Sequence, residues 1–169
     1  MQFNLKSTLT KADTKDKYIF WDIDGTRAPY RFNNHVGDPE GTNSGMSLKE
    51  IEDGIFLERK PSKHMQKVIE ECGAKENIIM SHCINEKEKN DKEKWLDIYY
   101  PSITKRVFPI YENESKGDTI LEYCKNNNIS LDEVIFVDDV ITILREAEKK
   151  GINAWHISSF LDWDYEFNE

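Results

Sequence analysis

Two almost wholly apolar runs in this chain each end in a pair of acidic residues. The first, KYIFWDID, places Asp22 and Asp24 after four bulky apolar residues. The second, EVIFVDD, places Asp138 and Asp139 after a similar run. Short runs that are apolar on both faces are typical of strands buried inside a parallel sheet. The acids either end two strands at the surface or are delivered to a common reaction site.

Strands and helices alternate along the chain after this first run. Strands are predicted at 18–23, in NIIMSH as far as Ser81, and in KRVFPI, EVIFVDDV and INAWHI. Helices are predicted at 62–73, at 86–99, in SKGDTILEYCKNN after Ser115, and in ITILREAEKKG. Alternation of this kind indicates βαβ units. We therefore expect a Rossmann-like, three-layer α/β domain with a central parallel sheet.

One long interruption follows the first strand. Residues 27–60 include RFNNHVGDPEGTNSG, whose Asn and Gly content does not suit a regular core element, and MSLKEIEDGIFLE, which suits a short helix or hairpin. We expect a single domain over 1–169, with a core of 17–26 and 61–157. The insertion at 27–60 is predicted to form a short cap or lid, mobile in its first half and docked in its second. Residues 1–16 are polar and predict a loosely held tail.

Composition limits the classes of partner. A net charge of −9 disfavours non-specific binding to nucleic acid or to anionic membrane surfaces. No apolar run approaches the roughly 20 residues of a membrane span, and the N-terminus lacks the apolar core of a secretory signal. Three cysteines, an odd number without CxxC spacing, are typical of reduced thiols. We therefore expect a cytoplasmic protein with no nucleic-acid or membrane partner.

The carboxyl ends of parallel strands meet at one edge of the sheet, where such folds bind ligands. Five polar residues follow predicted strands and are expected to converge there: Asp22, Asp24, Ser81, Asp138 and Asp139. Carboxylates this close repel each other, and a divalent cation relieves the repulsion. Oxygen ligands that share their ion with a phosphate favour Mg²⁺. Lys116 adds a fixed positive charge, and Ser81 offers a hydroxyl and a backbone N–H to phosphate oxygens.

Four motifs in order along the chain resemble those of the haloacid dehalogenase superfamily. They are DIDGT at 22–26, Ser81 after an apolar strand, Lys116 before a helix, and VDD at 137–139. The resemblance covers about residues 18–157. The stretch KEKWLDIYYP is also similar to the deoxyribonucleotidase branch. An acid two residues after the nucleophile is typical of the phosphatases and phosphomutases of the superfamily, whereas halide-displacing and ion-pumping relatives lack it.

The resemblance implies a covalent mechanism. Asp22 would attack phosphorus and form an aspartyl-phosphate. Asp24 would protonate the leaving oxygen and then activate water for hydrolysis. Ser81 and Lys116 would hold the phosphoryl oxygens, and Lys116 would also restrain Asp22.

The resemblance also implies a Mg²⁺ site. Asp22, Asp138 and the main-chain carbonyl of Asp24 would hold the ion. Asp139 would bind it through water or as an additional ligand. The metal and the neighbouring lysine would offset the charge that develops during transfer.

Three further residues border these motifs and are candidates for phosphate or substrate binding, namely Thr26, Arg27 and His82. For two of them a structural role is the alternative: His82 as a satisfied loop histidine and Arg27 as part of a structural loop. The charged run NEKEKNDKEK is predicted to be a solvated helix face. Trp95 is predicted to lie in the core.

We expect a Mg²⁺-dependent phosphomonoester hydrolase that acts on a nucleotide or another small phosphorylated metabolite. A short cap leaves either an open site or a lid completed by a second subunit, so a homo-oligomer is one of the alternatives. The rival functions are a phosphotransferase or phosphomutase, a phosphatase acting on a macromolecule, and a non-catalytic phosphate-binding domain.

Overall fold

The computed structural model describes residues 8–29, 48–110 and 114–163. The strands in these ranges are β1 (Tyr18–Trp21), β2 (Glu76–Met80), β3 (Lys105–Val107), β4 (Val134–Asp138) and β5 (Ala154–His156). They form one parallel sheet in the order β3-β2-β1-β4-β5. The strand order reverses between β1 and β4, so the two acid pairs leave neighbouring strands at the reversal point.

Six α-helices flank the sheet in the described residues. They are α1 (Lys11–Thr14), α2 (Leu48–Glu52), α3 (Lys63–Glu71), α4 (Glu86–Tyr99), α5 (Lys116–Asn127) and α6 (Ile141–Lys149). The side chains of Ser62, Asn85 and Ser115 each accept a backbone N–H, and these caps explain where α3, α4 and α5 begin. None of the helices described is long and apolar enough to cross a membrane.

A hydrophobic core lies on each face of the sheet. Alternate residues of β1 point to opposite faces, with Ile19 and Trp21 in one core and Phe20 in the other. Buried residues of α3 and α4 complete the first core, and those of α5 and α6 complete the second. Trp95 lies wholly buried in the first core. The three-layer α/β fold expected from the sequence is confirmed.

The two ends of the described chain are more firmly held than the sequence predicts. Leu9 is buried, and the Thr14 hydroxyl donates to the carbonyl of Cys72 at 2.7 Å. Phe160 and Trp163 also lie in the first core, so that core extends past residue 157. The prediction of a loose tail is wrong for residues 8–16. Most of these residues are polar, but one buried leucine and one threonine hydroxyl attach the segment to the core.

The described second half of the insertion is helical. It consists of α2 and a 3-10 turn at Ile55–Glu58. Ile51 and Phe56 are buried, and the Phe56 ring meets the Trp95 ring of α4 edge-on, with 5.8 Å between centroids. Residues 30–47 lie outside the described residues, so the cap or lid at 27–60 stays a prediction.

The three cysteines are all free thiols, and Cys72, Cys83 and Cys124 are all buried. Burial raises the pKa of each thiol above its ordinary value, to about 12 for Cys83. A raised pKa keeps a cysteine in its unreactive, protonated form. These residues therefore belong to the packing of the protein.

Candidate active site

Polar residues gather at the carboxyl ends of the central strands. The backbone N–H of Asp22 donates to the carbonyl of Val137 at 2.9 Å, so the pairing of β1 with β4 continues up to the acids. The backbone N–H of Ser81 likewise donates to the carbonyl of Val107, the last residue of β3, at 3.2 Å. The point where strand order reverses is where open α/β sheets bind ligands.

Lys116 links the ends of β1 and β4. Its Nζ donates to Asp22 Oδ1 at 2.7 Å and to Asp138 Oδ2 at 2.6 Å, and all three side chains are almost fully buried. Ser115 caps α5, so Lys116 is the first residue of that helix. We call Asp22, Lys116, Asp138 and Asp139 the Asp22 cluster.

Negative charge exceeds positive charge in the Asp22 cluster. Burial, with the charges of Asp138 and Asp24, raises the pKa of Asp22 to about 6 although Lys116 opposes the shift. Burial, with the charges of Asp22 and Asp138, raises the pKa of Asp139 to about 7. Burial alone would lower the pKa of Lys116, but its two carboxylate partners raise it. The cluster therefore favours an additional cation.

Three carboxylates of this cluster fit a metal ion. Asp22, Asp138 and Asp139 each offer one oxygen, and these oxygens lie within 4.8 Å of one another. One oxygen of Asp139 is buried and has no hydrogen-bond partner among the described residues. Asp138 Oδ1 accepts the backbone N–H of Val140 at 2.8 Å, which orients the carboxylate. A set of hard oxygen ligands, two of them on buried residues and one on a partly buried residue, suits a divalent ion such as Mg²⁺.

Asp24 lies in a second group of charges. Arg59 Nη1 donates to Asp24 Oδ1 at 2.7 Å, and Lys92 Nζ forms an ion pair with Asp24 Oδ2 at 2.6 Å. Lys92 also pairs with Glu88 Oε1 at 2.8 Å. Burial alone would raise the pKa of Asp24, but Lys92 and Arg59 hold it below its ordinary value. We call Asp24, Arg59, Glu88 and Lys92 the Asp24 cluster.

The carboxylate of Asp24 is thus engaged by two cations and stands outside the three-carboxylate set of the Asp22 cluster. The sequence resemblance implies that Asp24 binds the metal through its main-chain carbonyl and not through its carboxylate. That part stays a prediction.

The loop after β2 contributes Ser81 and His82. Ser81 is fully buried, and its hydroxyl lies 3.4 Å from Lys92 Nζ. Its backbone N–H is not offered to a phosphate, as the sequence suggested, because it continues the pairing between β2 and β3. His82 Nε2 lies 2.9 Å from the carbonyl oxygen of Glu114, which is the contact of a satisfied loop histidine. Burial and the charge of Lys116 lower the pKa of His82.

Arg27 is fully buried, and its predicted part in substrate binding stays a prediction. Its guanidinium lies 5.2 Å from the ring centre of Trp21 and 5.0 Å from that of Tyr100, without a hydrogen bond to any described residue. Burial lowers its pKa to about 9. The side chain of Arg27 is buried because the chain folds back at Gly25, whose φ is 64°. Thr26, in the same turn, is also buried, and its hydroxyl has no partner in the described structure.

Sequence reasoning missed three members of the Asp24 cluster. The prediction of a solvated face for NEKEKNDKEK is wrong for Glu88, Asp91 and Lys92, which are at most 2% exposed. A signal was present, because Glu88, Lys92 and Trp95 are spaced four and three residues apart and share the helix face that Trp95 buries. Arg59 offered no such signal, because it lies in irregular chain after a 3-10 turn.

No protein-family model matches the chain, and no curated protein matches it in sequence. In structure it is similar to a haloacid dehalogenase-like family hydrolase from Streptococcus pneumoniae, with a TM-score of 0.58 and 12% identity over 86% of this chain and 90% of that one. It is also similar to a haloacid dehalogenase family hydrolase from Salmonella enterica serovar Typhi, with a TM-score of 0.50 and 12% identity over 79% of this chain and 61% of that one. The chain therefore has the haloacid dehalogenase-like fold, as its motifs predicted.

Proposed function

We propose that this protein is a phosphomonoester hydrolase of the haloacid dehalogenase superfamily. The observation that carries the proposal is the contact of one ammonium group, Lys116 Nζ, with Asp22 at 2.7 Å and with Asp138 at 2.6 Å. This contact holds the Asp22 carboxylate in place beside a positive charge, at the sheet edge where a ligand binds. A positioned carboxylate with a cationic neighbour suits attack on a phosphate group.

The reaction proceeds in two steps on the side chains of this chain. The negative charge of a bound phosphate raises the pKa of Asp24, which then takes up a proton from solvent. An oxygen of Asp22 attacks phosphorus, and the bond from phosphorus to the leaving oxygen breaks as Asp24 gives that oxygen this proton. Asp24 then takes a proton from water, which attacks the aspartyl-phosphate and releases inorganic phosphate. The Ser81 hydroxyl and Lys116 hold the phosphoryl oxygens through both steps.

Mg²⁺ is the metal that we propose. The Asp22, Asp138 and Asp139 carboxylates would hold it, and the excess negative charge of their cluster supports this assignment. When bound, the ion offsets the negative charge of the phosphoryl group.

A small phosphorylated metabolite, nucleotides included, is the proposed substrate class. The net charge of −9 disfavours a nucleic-acid substrate. We also propose the cytoplasm as the location, on the basis of three unpaired thiols. The insertion at 27–60 is proposed as the cap that sets access to the site, either within one subunit or with help from a second.

The test is release of inorganic phosphate by the purified protein. The substrates are p-nitrophenyl phosphate and then a panel of nucleoside monophosphates, sugar phosphates and other phosphorylated metabolites, each with Mg²⁺. We expect turnover of p-nitrophenyl phosphate and a marked preference within the panel, with Asp22→Asn as the inactive control. Binding of phosphate without release from any ester would contradict the proposal and favour a non-catalytic binding domain. Transfer of the phosphoryl group to an added alcohol in preference to water would indicate a phosphotransferase.

A further inference from the structure

Lys92 is a fully buried lysine of α4 whose ammonium group has four oxygen neighbours. Ion pairs join its Nζ to Asp24 Oδ2 at 2.6 Å and to Glu88 Oε1 at 2.8 Å. The same atom donates to the carbonyl of His82 at 2.6 Å and to Ser81 Oγ at 3.4 Å. An ammonium group has three N–H donors. Glu88 Oε1 is in ion-pair contact without a hydrogen bond. The two hydrogen bonds and the two ion pairs together leave Nζ little freedom to move.

These contacts join two loops at the carboxyl edge of the sheet. Asp24 belongs to the loop after β1, whereas Ser81 and His82 belong to the loop after β2. Burial alone would lower the pKa of Lys92, but Asp24 and Glu88 raise it, so the side chain stays charged. One cation on a helix therefore sets the spacing between the proposed proton donor and the proposed phosphate-binding hydroxyl.

The Asp24 carboxylate is restrained at both of its oxygens. Lys92 contacts Oδ2 from α4, and Arg59 contacts Oδ1 from the end of the insertion. Contacts from two directions fix the plane of a carboxylate, whereas a single contact leaves it free to rotate. Lys92 is fully buried and also contacts the loop after β2, so it is the partner that relates Asp24 to the proposed phosphate-binding hydroxyl of Ser81.

We propose that Lys92 is a positioning residue that holds the Asp24 carboxylate towards the leaving oxygen of the substrate. This inference rests on the proposed function. Proton delivery requires the donor within hydrogen-bond reach of the leaving oxygen. Without Lys92, Asp24 keeps its contact with Arg59 but loses its tie to the loop that holds Ser81. Loss of the Lys92 charge also raises the pKa of Asp24 and favours its protonated form. A change in charge alone therefore predicts faster expulsion of a basic leaving oxygen. Loss of positioning predicts slower expulsion of that oxygen and little change for a leaving group that departs as a stable anion.

A purely structural role leads to a different expectation. Lys92 also balances the buried charge of Glu88, and its removal leaves that charge uncompensated, which destabilises the fold. A smaller folded fraction reduces the turnover of every ester by the same factor. The dependence of the loss on the leaving group therefore separates positioning from structural support.

The experiment compares kcat/KM for phenyl phosphate and p-nitrophenyl phosphate, because phenolate is the more basic leaving group. The proteins are the wild type, Lys92→Met, the double variant Lys92→Met with Glu88→Gln, and Lys94→Met, an exposed position on the same helix. In Lys92→Met and the double variant we expect a loss of about 10²-fold with phenyl phosphate and of less than about fivefold with p-nitrophenyl phosphate. Lys94→Met is expected to match the wild type with both esters.

The double variant guards against failure to fold, because Glu88→Gln removes the charge that Lys92 balances. Melting temperatures report whether it recovers stability, and the selective loss must persist in it. An equal loss with both esters, or no loss with either, would overturn the positioning role. Recovery of the phenyl phosphate rate in the double variant would also overturn it, because the Glu88 charge would then be the cause. If the wild type released phosphate from neither ester, the proposed function itself would be contradicted.

Discussion

The Asp22 cluster and the Asp24 cluster lie at the same edge of the sheet and differ in charge balance. The Asp22 cluster combines three carboxylates with one ammonium group, an excess of two formal negative charges. The Asp24 cluster combines two carboxylates with two cations, and its formal charges cancel. In each cluster a buried lysine from a helix contacts one of the two acids that follow β1: Lys116 contacts Asp22, and Lys92 contacts Asp24.

The pKa values express this difference. Burial and like charges raise the pKa of Asp22 to about 6 and that of Asp139 to about 7. Asp24 is equally buried, yet Lys92 and Arg59 hold its pKa below the ordinary value. A buried cluster whose charges cancel holds its side chains in position with protein groups alone. A cluster with excess charge instead favours a ligand of opposite charge.

The largest expected effect follows from replacing Asp22, the proposed nucleophile of the Asp22 cluster. Asp22→Asn should lower the rate of phosphate release by roughly 10⁴-fold or more, because an amide cannot form the covalent intermediate. The near-isosteric change should leave the fold intact, as measured by circular dichroism and melting temperature. The matched control is Asp118→Asn, the same chemical change at an exposed position of α5.

Residual activity of more than a few per cent in Asp22→Asn, after contaminating phosphatase is excluded, would refute the covalent mechanism. Asp22 would then not be the nucleophile, and the difference in charge between the two clusters would not bear on the reaction.

Removal of divalent metal tests whether the excess negative charge of the Asp22 cluster requires a cation. Activity should fall by roughly 10³-fold in EDTA and recover with added Mg²⁺, because the Asp22 cluster requires a cation to offset its charge. Mg²⁺ should also raise the melting temperature of the wild type. Asp138→Asn, which removes one carboxylate of the set, should abolish that rise. Unchanged activity after rigorous chelation would rule out the metal site.

Asp24→Asn tests the balanced cluster. We expect kcat/KM for phenyl phosphate to fall by about 10²–10⁴-fold, because the leaving oxygen loses its proton donor. With p-nitrophenyl phosphate, the first step should stay fast and the second slow, so a rapid burst of p-nitrophenolate should precede slow turnover. The rise in melting temperature with Mg²⁺ should be retained, since the Asp22 cluster is intact. A wild-type rate with phenyl phosphate would show that Asp24 is not the acid.

Much of the fold could be predicted because short-range patterns encode it. The range 86–99 expected for a helix from the sequence is the range that α4 occupies, and Asn85 caps it. The apolar runs around Phe20 and Phe136 read as buried strands and lie paired in register. The contacts that hold residues 8–16 could not be predicted, because a single leucine carries no periodic signal.

The two clusters differ in how far the sequence reveals them. Parallel strands bring their carboxyl ends together, so the acids of the Asp22 cluster could be predicted to meet. Arg59 and Asp24 are 35 residues apart, and no local pattern relates them. Lys92 was concealed by the charged run around it. Arg27 is next to a motif, but its side chain lies against the Trp21 ring after a tight turn, and this placement could not be predicted from its position in the sequence.

The last expected effect concerns stability and pH and leaves the reaction rate aside. The pKa of Asp139 rises from an ordinary value of 3.8 to about 7 in the folded protein. Between these values the folded state keeps a proton that the unfolded state releases, so this residue lowers the free energy of unfolding as pH rises from about 4 to about 7. In Asp139→Asn the amide does not titrate, so this loss of stability with rising pH is removed. In EDTA its melting temperature should match that of the wild type at pH 4.

At pH 8 in EDTA, Asp139→Asn should melt above the wild type by roughly 8–16 °C, because a pKa shift of about three units corresponds to about 4 kcal/mol. Asp24→Asn provides the contrast, because the pKa of Asp24 is lowered and its charge stabilises the fold. It should therefore melt below the wild type at pH 8. With Mg²⁺, the advantage of Asp139→Asn should shrink, because the wild type gains binding energy from a third carboxylate. If both variants shifted in the same direction in EDTA, the two clusters would not differ in charge balance.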